Sequence, residues 1–404
     1  MNILDILSPV EEDNSITKIE IHSYNPYSTS SLNKNDEIRI PVQNQSSFIL
    51  PYQSYLYIEG KVGDITPSTV TQIEFTKNFI AFLFNEIRLE MGSQRLDQVK
   101  NPGIVTTMKN YISQSYAEKQ SNRHLWFSEN LKFKKNDTFN YCVPLAKYLG
   151  FIEDYRRVII FAKLELILLR SQTDNNCIVK IPAAGAAVSS VDIVLKKIQW
   201  RVPHVEVNNL HKLKLLKVLE SGQKIYMPFR SWQYFENPAL PTADKITWQI
   251  QTTSATERPL YVILGFQTAR RNDSTKDATV FDHCQLTNAK LFLNTQQIPY
   301  ENLNINYGAN QYSVAYNMFC NFMKSYYGKD DMQQTSLASF KTESPLIFFD
   351  CSRTESLIKS SSIDVRLELE FGDILPASTV ASVLVIHDQV FAYNPFTSIV
   401  EKVI

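Results

Sequence analysis

The sequence is poor in glycine and has no net charge. Only 11 of its 404 residues are glycine, so its turns must depend on Asn, Asp, Ser and Pro. The 41 basic side chains are balanced by 41 acidic ones, and the basic excess typical of a protein that grips nucleic acid is therefore missing. We expect no sequence-specific nucleic-acid partner.

Cysteine patterns that would support a disulfide framework or a zinc knuckle are also missing. The cysteines are odd in number and no two form a C-x-x-C pair, which favours a reducing compartment. They are Cys142, Cys177, Cys284, Cys320 and Cys351.

Signals for a membrane or for export are absent as well. The longest apolar stretch, residues 158–169, is interrupted by Lys163 and Glu165 and is too short to span a bilayer. Residues 1–5 have neither the basic start nor the apolar run of a signal peptide. We therefore expect the protein to be made in the cytosol or nucleus and not secreted, with its N-x-S/T sequons unused, at Asn44, Asn136 and Asn272.

What the sequence does contain is a long series of short strand patterns. Hydrophobic residues make up 44% and aromatic residues 12% of the chain, a composition that is globular and favours sheet. Apolar residues alternate with polar ones, as at Leu164, Leu166 and Leu168, which is typical of half-buried antiparallel strands. The pattern predicts about eight strands in each half of the chain.

The strand series occurs twice, which predicts two fused copies of one domain. Four segments of the first half match segments of the second in the same order: 38–41 with 225–228, 89–94 with 291–296, 163–166 with 366–369, and 190–203 with 382–395. The repeat is far longer than the roughly 20–50 residues of a solenoid unit. Helical spacing follows the second matched segment in both copies, at Ile104, Met108 and Tyr111 and at Tyr312, Tyr316, Phe319 and Met323.

These patterns predict an all-β fold of two tandem eight-stranded antiparallel jelly-roll barrels, with one short helix inserted in each. We divide the chain into an N-terminal arm (1–36), a first jelly roll (37–207), an inter-barrel joint (208–222) and a second jelly roll (223–404). In the arm, Ile3, Leu4, Ile6 and Leu7 could form one face of a short helix, and residues 25–31 have the composition of a flexible segment. The arm either binds a neighbouring subunit or folds back on its own domain.

The histidines do not form a convincing metal or nucleophile pattern. His22 and His124 have no candidate partner nearby in sequence. His204-Val205-Glu206 with His211 resembles the triad of jelly-roll iron oxygenases, but there the second histidine comes from a much later strand, so a solvated or interface cluster is favoured. In His283-Cys284 and His387-Asp388 the two side chains would point to opposite faces of a strand.

Two further groups of charged residues have a functional and a structural interpretation. Glu165 and Glu368, each between leucines, are either a pair of carboxylates or outward-facing partners of Lys163 or Arg366. A basic run could contact nucleic acid or a membrane, or form a solvated linker face: Lys212, Lys214 and Lys217. In both cases we favour the structural interpretation. No G-x-S-x-G, P-loop or G-x-G-x-x-G occurs, and we predict no enzyme activity and no catalytic, cofactor-binding or metal-binding residues.

Several segments carry a family resemblance, which covers nearly the whole chain. They are 36–43, 56–60 and 82–88 in the first half, and 348–353, 364–368, 385–388 and 393–395 in the second. Together they resemble double jelly-roll major capsid proteins of the tectivirus–adenovirus lineage, and most of all those of Polinton/Maverick elements and adintoviruses. Their order and the internal duplication make the case, because each motif alone is only moderately specific.

The resemblance implies a structural protein of the virion. Three chains would form a homotrimeric, pseudo-hexameric capsomer that tiles an icosahedral capsid beside penton or vertex proteins and minor capsid proteins. The resemblance leaves membrane contact open. The alternatives are a tandem jelly-roll glycan-binding protein or glycan-processing enzyme, a minor capsid or vertex protein, and a hexamer-forming scaffold of host origin.

Overall fold

The computed structural model describes residues 15–28, 30–43, 48–66, 72–113, 132–179, 190–220, 222–250, 258–328, 336–353 and 363–403. The predicted apolar helix face at residues 3–7, the sequon at Asn44 and His124 lie outside the described residues.

The first half of the chain is built mainly from strands. Its elements are β1 (Ile16–Tyr24), β2 (Glu37–Gln43), β3 (Phe48–Ile49), β4 (Tyr55–Thr66), β5 (Ile73–Phe75), α1 (Phe79–Phe82), β6 (Phe84–Met91), β7 (Gln94–Lys100), α2 (Pro102–Ser113), β8 (Lys132–Phe133), β9 (Thr138–Pro144), α3 (Gly150–Asp154), β10 (Lys163–Arg170), β11 (Ile178–Val179) and β12 (Ser190–Val207). Short 3₁₀ turns lie at Pro51–Gln53, Leu145–Lys147 and Asn175–Cys177.

The second half repeats this plan after a linking helix. Its elements are α4 (Asn209–Glu220), β13 (Ile225–Asn237), β14 (Lys245–Ile250), β15 (Pro259–Thr268), β16 (Leu286–Leu293), β17 (Gln296–Ile298), α5 (Ser313–Tyr327), α6 (Leu337–Glu343), β18 (Ile347–Asp350), β19 (Val365–Phe371), β20 (Thr379–Asn394) and β21 (Ile399–Lys402).

Each half contains two facing antiparallel sheets with the same strand order, and the first half also has a small sheet of order β11-β5-β8. In the first half the orders are β1-β12-β4-β9 and β2-β10-β6-β7, and in the second β13-β20-β15-β18 and β14-β19-β16-β17. The strands of the first pair of sheets correspond one to one with those of the second pair, so each half is an eight-stranded jelly roll. The predicted fold class is confirmed, and short helices beyond the one predicted in each barrel add to it.

Strand alternation places the core between the sheets. Along β19 the side chains alternate between buried and half-buried, from Val365 to Phe371, as period-2 patterning requires. Helices α2 and α5 occupy matching places after the β6-β7 and β16-β17 hairpins. Their predicted apolar faces are largely buried, including Ile104, Met108 and Phe319. One continuous apolar cluster extends through both barrels.

Two of the four sequence matches need correction. The match of 38–41 with 225–228 was wrong, because β2 pairs with β10 whereas β13 pairs with β20, so the counterpart of β2 is β14. The strand register also shows that two other matches, 89–94 with 291–296 and 163–166 with 366–369, cannot both be right. Leu89 pairs with Leu166, and Leu291 pairs with Leu367, so Leu166 corresponds to Leu367 and not to Leu369. A two-residue slip keeps side chains on the same face, which is why the alternation alone did not detect it.

The N-terminal segment folds back on its own barrel where it is described. Residues 16–24 form β1, an edge strand that pairs with β12 from Ile16↔Val207 to Tyr24↔Trp200. The backbone N–H of Tyr27 then donates to the carbonyl of Arg39, which holds the segment beside β2. The assignment of residues 25–31 as a flexible segment stays a prediction, but residues 16–24, which we placed in the arm, form a strand paired with β12. The alternation Lys18-Ile19-Glu20-Ile21 is present in the sequence, but it lies outside the matched segments of the repeat, so no strand was assigned there.

Candidate functional site

The sequence-selected polar residues do not converge on a reactive centre. His204 stacks on His22 at 4.0 Å and its Nε2 lies 2.8 Å from the Tyr24 hydroxyl. His211 instead contacts the Asn208 side chain at 2.9 Å. His204 and His211 thus have separate partners. Burial, followed by the charge of His22, lowers the pKa of His204 to about 4.

The other candidate residues have structural surroundings. His283 stacks on Tyr307, and His387 is buried while Asp388 is exposed. Glu165 was expected to pair with Lys163, but its carboxylate lies 3.4 Å from Arg39 instead. Glu368 lies 3.4 Å from Arg366, its expected partner. The basic run is exposed on α4: Lys212, Lys214 and Lys217.

The described residues offer no candidate for metal binding or membrane crossing. In the ranges given above, no cluster of His, Cys, Asp and Glu could hold a metal ion. Within the same part of the chain, no helix is both long and apolar enough to cross a membrane. The five cysteines all lie in the described ranges, and none forms a disulfide bond.

The most constrained part of the molecule is the seam between the barrels, where α3 packs against β13. Gly150 approaches β13 so closely that an added Cβ would lie 2.0 Å from the carbonyl oxygen of Arg230. The adjacent Phe151 ring packs edge-on against Phe229 at 5.2 Å. Only glycine allows the helix to approach the strand this closely.

A bidentate ion pair fixes the same seam. The Arg230 guanidinium donates to both carboxylate oxygens of Asp154, at 2.8 and 2.7 Å, and the backbone N–H of Arg230 donates to the same carboxylate at 2.9 Å. Burial opposes the charge on Asp154, but the hydrogen bonds and charge of Arg230 lower the pKa of this carboxyl below its usual value. Bidentate arginine–carboxylate pairs fix orientation as well as distance, so α3 cannot rotate against β13 without breaking them.

The helix α2 crosses the seam on its other side. Lys109 is buried, with Nζ 2.5 Å from Glu153 Oε2 and 5.1 Å from the centre of the Trp232 ring in the second barrel. The Tyr111 hydroxyl donates to the carbonyl of Thr279, also in the second barrel, at 3.1 Å. Buried polar contacts of this kind need a defined geometry, and they join the two barrels into one unit.

Asp97 is a buried carboxyl group at the seam. It is 4% exposed and accepts the N–H groups of Phe151 and Gln98. Burial raises the pKa of Asp97 to about 6, an effect that these hydrogen bonds only partly offset.

We expect the Asp97→Asn variant to lose the pH dependence of stability that Asp97 contributes. Because the pKa of Asp97 is higher in the folded than in the unfolded state, its contribution to stability falls as pH rises from about 4 to about 6. When the pH is lowered from 7 to 5, the free energy of unfolding of the wild type should rise by about 1 kcal/mol relative to that of Asp97→Asn. Urea unfolding of both proteins at the two pH values measures this difference. If the difference in unfolding free energy between the two proteins were the same at both pH values, the raised pKa assigned to Asp97 would be contradicted.

An open groove lies between β7 of the first barrel and the sheet of the second. We call it the inter-barrel groove, and its lining includes Arg95, Gln98, Lys100, Ser231, Gln233, Gln389 and Lys402. Its volume, ≈ 290 Å³, is just below the roughly 300–1,000 Å³ usual for small-molecule pockets.

Exposed apolar side chains mark two edges of the molecule. On β1, Ile16, Ile19 and Ile21 are each about half exposed. Near the end of the chain Phe396 is 82% exposed, and Ile399 and Val403 lie close to it in sequence and are also exposed. Unpaired edge strands and exposed apolar patches favour contact with another chain.

The seam residues were not selected from the sequence. Gly150 and Asp154 lie on the same short helix, but Arg230 is 76 residues further along the chain than Asp154, and no motif links them. The scarcity of glycine does not single out Gly150, because an added Cβ at Gly308 would meet only the Asn306 side chain.

Comparison with known proteins supports the fold. A family model described as "Double jelly roll-like domain" matches residues 73–391. A chain of the Sputnik virophage, solved by cryo-EM, has a TM-score of 0.62 and 11% sequence identity, and the match covers 100% of this chain and 91% of that one. No curated protein was found to match the sequence.

Two structures of major capsid proteins give similar values. The faustovirus major capsid protein has a TM-score of 0.61 and 9% identity, with 96% of this chain and 92% of that one covered. The mavirus major capsid protein has a TM-score of 0.56 and 11% identity, with coverage of 98% and 92%.

Proposed function

The chain belongs to the double jelly roll-like domain family, and we propose that it is a structural major capsid protein of an icosahedral virion. In this proposal three copies form a pseudo-hexameric capsomer, because two barrels in each of three chains make six barrels in all. The function is non-enzymatic, and the location is the virion.

One observation carries the proposal. Two complete jelly rolls are joined by a buried seam into one unit, and that unit matches the mavirus and faustovirus major capsid proteins over almost their whole length. The exposed edges at β1 and at residues 396–403 support it, because a single copy leaves them uncovered. Such edges suit a subunit that assembles with copies of itself.

The finer parts of the proposal come from the sequence resemblance. They are a lineage close to Polinton/Maverick elements and adintoviruses, contacts with penton or vertex proteins and minor capsid proteins, and division of the chain at residues 208–222. No specific observation favours the glycan-binding alternative.

The mass of the protein in solution tests the proposed assembly. We expect light scattering after size-exclusion chromatography to give three times 46.5 kDa, since interfaces of obligate oligomers bury about 2,000 Å² or more and persist on dilution. Negative-stain images of the peak should show a hexagonal outline. A monomer at every concentration, in protein that is folded by circular dichroism, would contradict the proposal.

A further inference from the structure

The inter-barrel groove has buried polar atoms without partners. Ser231 is 4% exposed and its Oγ has no hydrogen-bond partner, and neither has the buried Oε1 of Gln233. Both side chains line the groove. Since an unsatisfied buried polar group costs about 1–3 kcal/mol, the groove would be stabilised by a ligand that supplies hydrogen-bonding groups.

Strand β7 offers backbone hydrogen bonds at the same place. In the sheet order β2-β10-β6-β7 it is an edge strand that pairs only with β6 among the described residues. β13, on the opposite wall, is likewise an edge strand of its sheet. An open sheet edge can accept an extended peptide as an additional strand. The groove is therefore suited to a peptide.

The charge of the groove favours an acidic occupant. Arg95 and Lys100 are exposed, and no carboxylate among the described residues forms an ion pair with either of them. Lys402 adds a third basic side chain to the lining. Asp97 also lines the groove, but it is only 4% exposed and both of its carboxylate oxygens accept backbone N–H groups, from Phe151 and Gln98. A peptide that carries carboxylates would complement this surface.

Residues 1–14 of the chain have the matching chemistry. They contain four acidic residues and no Lys or Arg: Asp5, Glu11, Glu12 and Asp13. Their apolar residues could pack on the half-buried Phe235 in the groove lining. Fully extended, a segment of this length spans at most about 50 Å, which is long enough to reach a neighbouring molecule.

The topology favours a second copy as the source of this segment. Described structure begins at Ser15, whose carbonyl accepts the N–H of Asn208 beside the β1 edge. β1 and β2 lie at one side of the first barrel, whereas β9 and β7 close the other side. Ser15, the first described residue after the segment, therefore lies on the side of the barrel away from the groove.

We propose that residues 1–14 of a second copy of this chain bind in the inter-barrel groove as an extended acidic segment beside β7. The inference rests on the proposed self-association and specifies one of its contacts.

Disulfide capture between two tagged, co-expressed full-length chains tests the contact. One chain carries Ser8→Cys and the other Gln98→Cys, in the groove. After mild oxidation we expect a cross-linked dimer of the two tags on a non-reducing gel. Two controls should stay at the background of the native cysteines: each variant alone, and Ser8→Cys with Asp373→Cys, an exposed position outside the groove.

Charge reversal makes the test specific. Arg95→Glu with Lys100→Glu in the groove chain should lower the cross-link yield about tenfold, because two surface charge contacts become repulsive. Glu11→Lys with Glu12→Lys in the other chain should restore it.

The contradictory outcomes are distinct. A third sample, one chain with both Ser8→Cys and Gln98→Cys, tests for binding within a single molecule. An internal cross-link in that sample, with the two-chain yield at background, would place the segment in its own groove and overturn the inference. A yield at background in every sample would overturn it as well. Light scattering on the same samples separates the two proposals. A trimer without cross-link contradicts only this contact, whereas a monomer contradicts the proposed function.

Discussion

Replacement of Arg170 by methionine is expected to destabilise the first barrel by about 3–5 kcal/mol, the cost of removing one partner of a buried ion pair. Arg170 is 1% exposed, and its Nη1 donates to Asp174 Oδ1 at 2.9 Å and to the carbonyl of Leu83 at 2.6 Å. Its Nη2 donates to the carbonyl of Ile193 at 3.1 Å. Methionine fills similar space and supplies none of these bonds.

The remaining Asp174 explains the size of the effect. This carboxylate is fully buried and also accepts the N–H of Ile193 at 2.9 Å. Without Arg170 its nearest cation is Lys34, whose Nζ lies 3.7 Å from Oδ2. The carboxylate must then be protonated or remain buried with weaker compensation, and either costs stability.

Thermal unfolding by near-ultraviolet circular dichroism is the suitable measurement. For a barrel of this size we expect Arg170→Met to lower the midpoint by about 10 °C. The double variant Arg170→Met with Asp174→Leu should recover part of the loss, because no charge is then left unpaired.

An exposed ion pair provides the control for Arg170→Met. Lys245 and Glu370 lie 2.9 Å apart with side chains 71% and 42% exposed, and solvent screening leaves such surface pairs with little effect on stability. Lys245→Ala should therefore leave the midpoint almost unchanged. If Arg170→Met behaved like Lys245→Ala, the ion pair would not be a main support of the barrel.

The two barrels use different chemistry at the matching position. Arg170 pairs with Phe84 at a bulge between β10 and β6, and Phe371 pairs with Leu286 at the corresponding bulge between β19 and β16. Phe371 packs edge-on against Phe266 at 5.5 Å. The duplicated fold thus tolerates either an ion pair or an aromatic contact here, so sequence matching alone could not align this end of the strands.

How much of the fold the sequence predicts depends on how much each strand buries. Strands such as β10 and β19 alternate clearly because one face packs in the core, and the repeat matches these two strands to each other, although two residues out of register. In β1, Ile19 and Ile21 also alternate with charged residues, but they are about half exposed and lie outside the matched segments, so the strand was assigned to an arm. The match of Ile38 with Ile225 failed because a short apolar pattern ending in proline occurs in two strands that occupy different positions.

The seam could not be predicted from local patterns, since its residues acquire their roles only when the barrels meet. Asp154 ends a five-residue helix and Arg230 lies within a long strand, and nothing near either residue in sequence identifies the other. A charged residue on a strand is most often a solvated one. The contact that joins the barrels therefore appears only in three dimensions.

Gly150→Ala is the second change for which we expect a large effect. The added Cβ would lie 2.0 Å from the carbonyl oxygen of Arg230 and 3.3 Å from the Trp232 ring. The first of these atoms belongs to the backbone of a paired strand, so it cannot move aside as a flexible side chain would. Overpacking typically costs about 1–3 kcal/mol, and we expect this site to reach the upper end of that range or exceed it.

The same change should loosen the seam selectively, because α3 must move away from β13 and the bidentate contact of Asp154 with Arg230 is lost with it. Hydrogen exchange followed by mass spectrometry should show faster exchange in β13 near Arg230 than in β19, which lies in the opposite sheet of the same barrel. Gly308→Ala is the matched control, since its Cβ would meet only the Asn306 side chain at 3.3 Å, in an exposed turn. Equal stability of the two alanine variants would show that the seam can open without cost, and the two barrels would then have to be treated as independently moving domains.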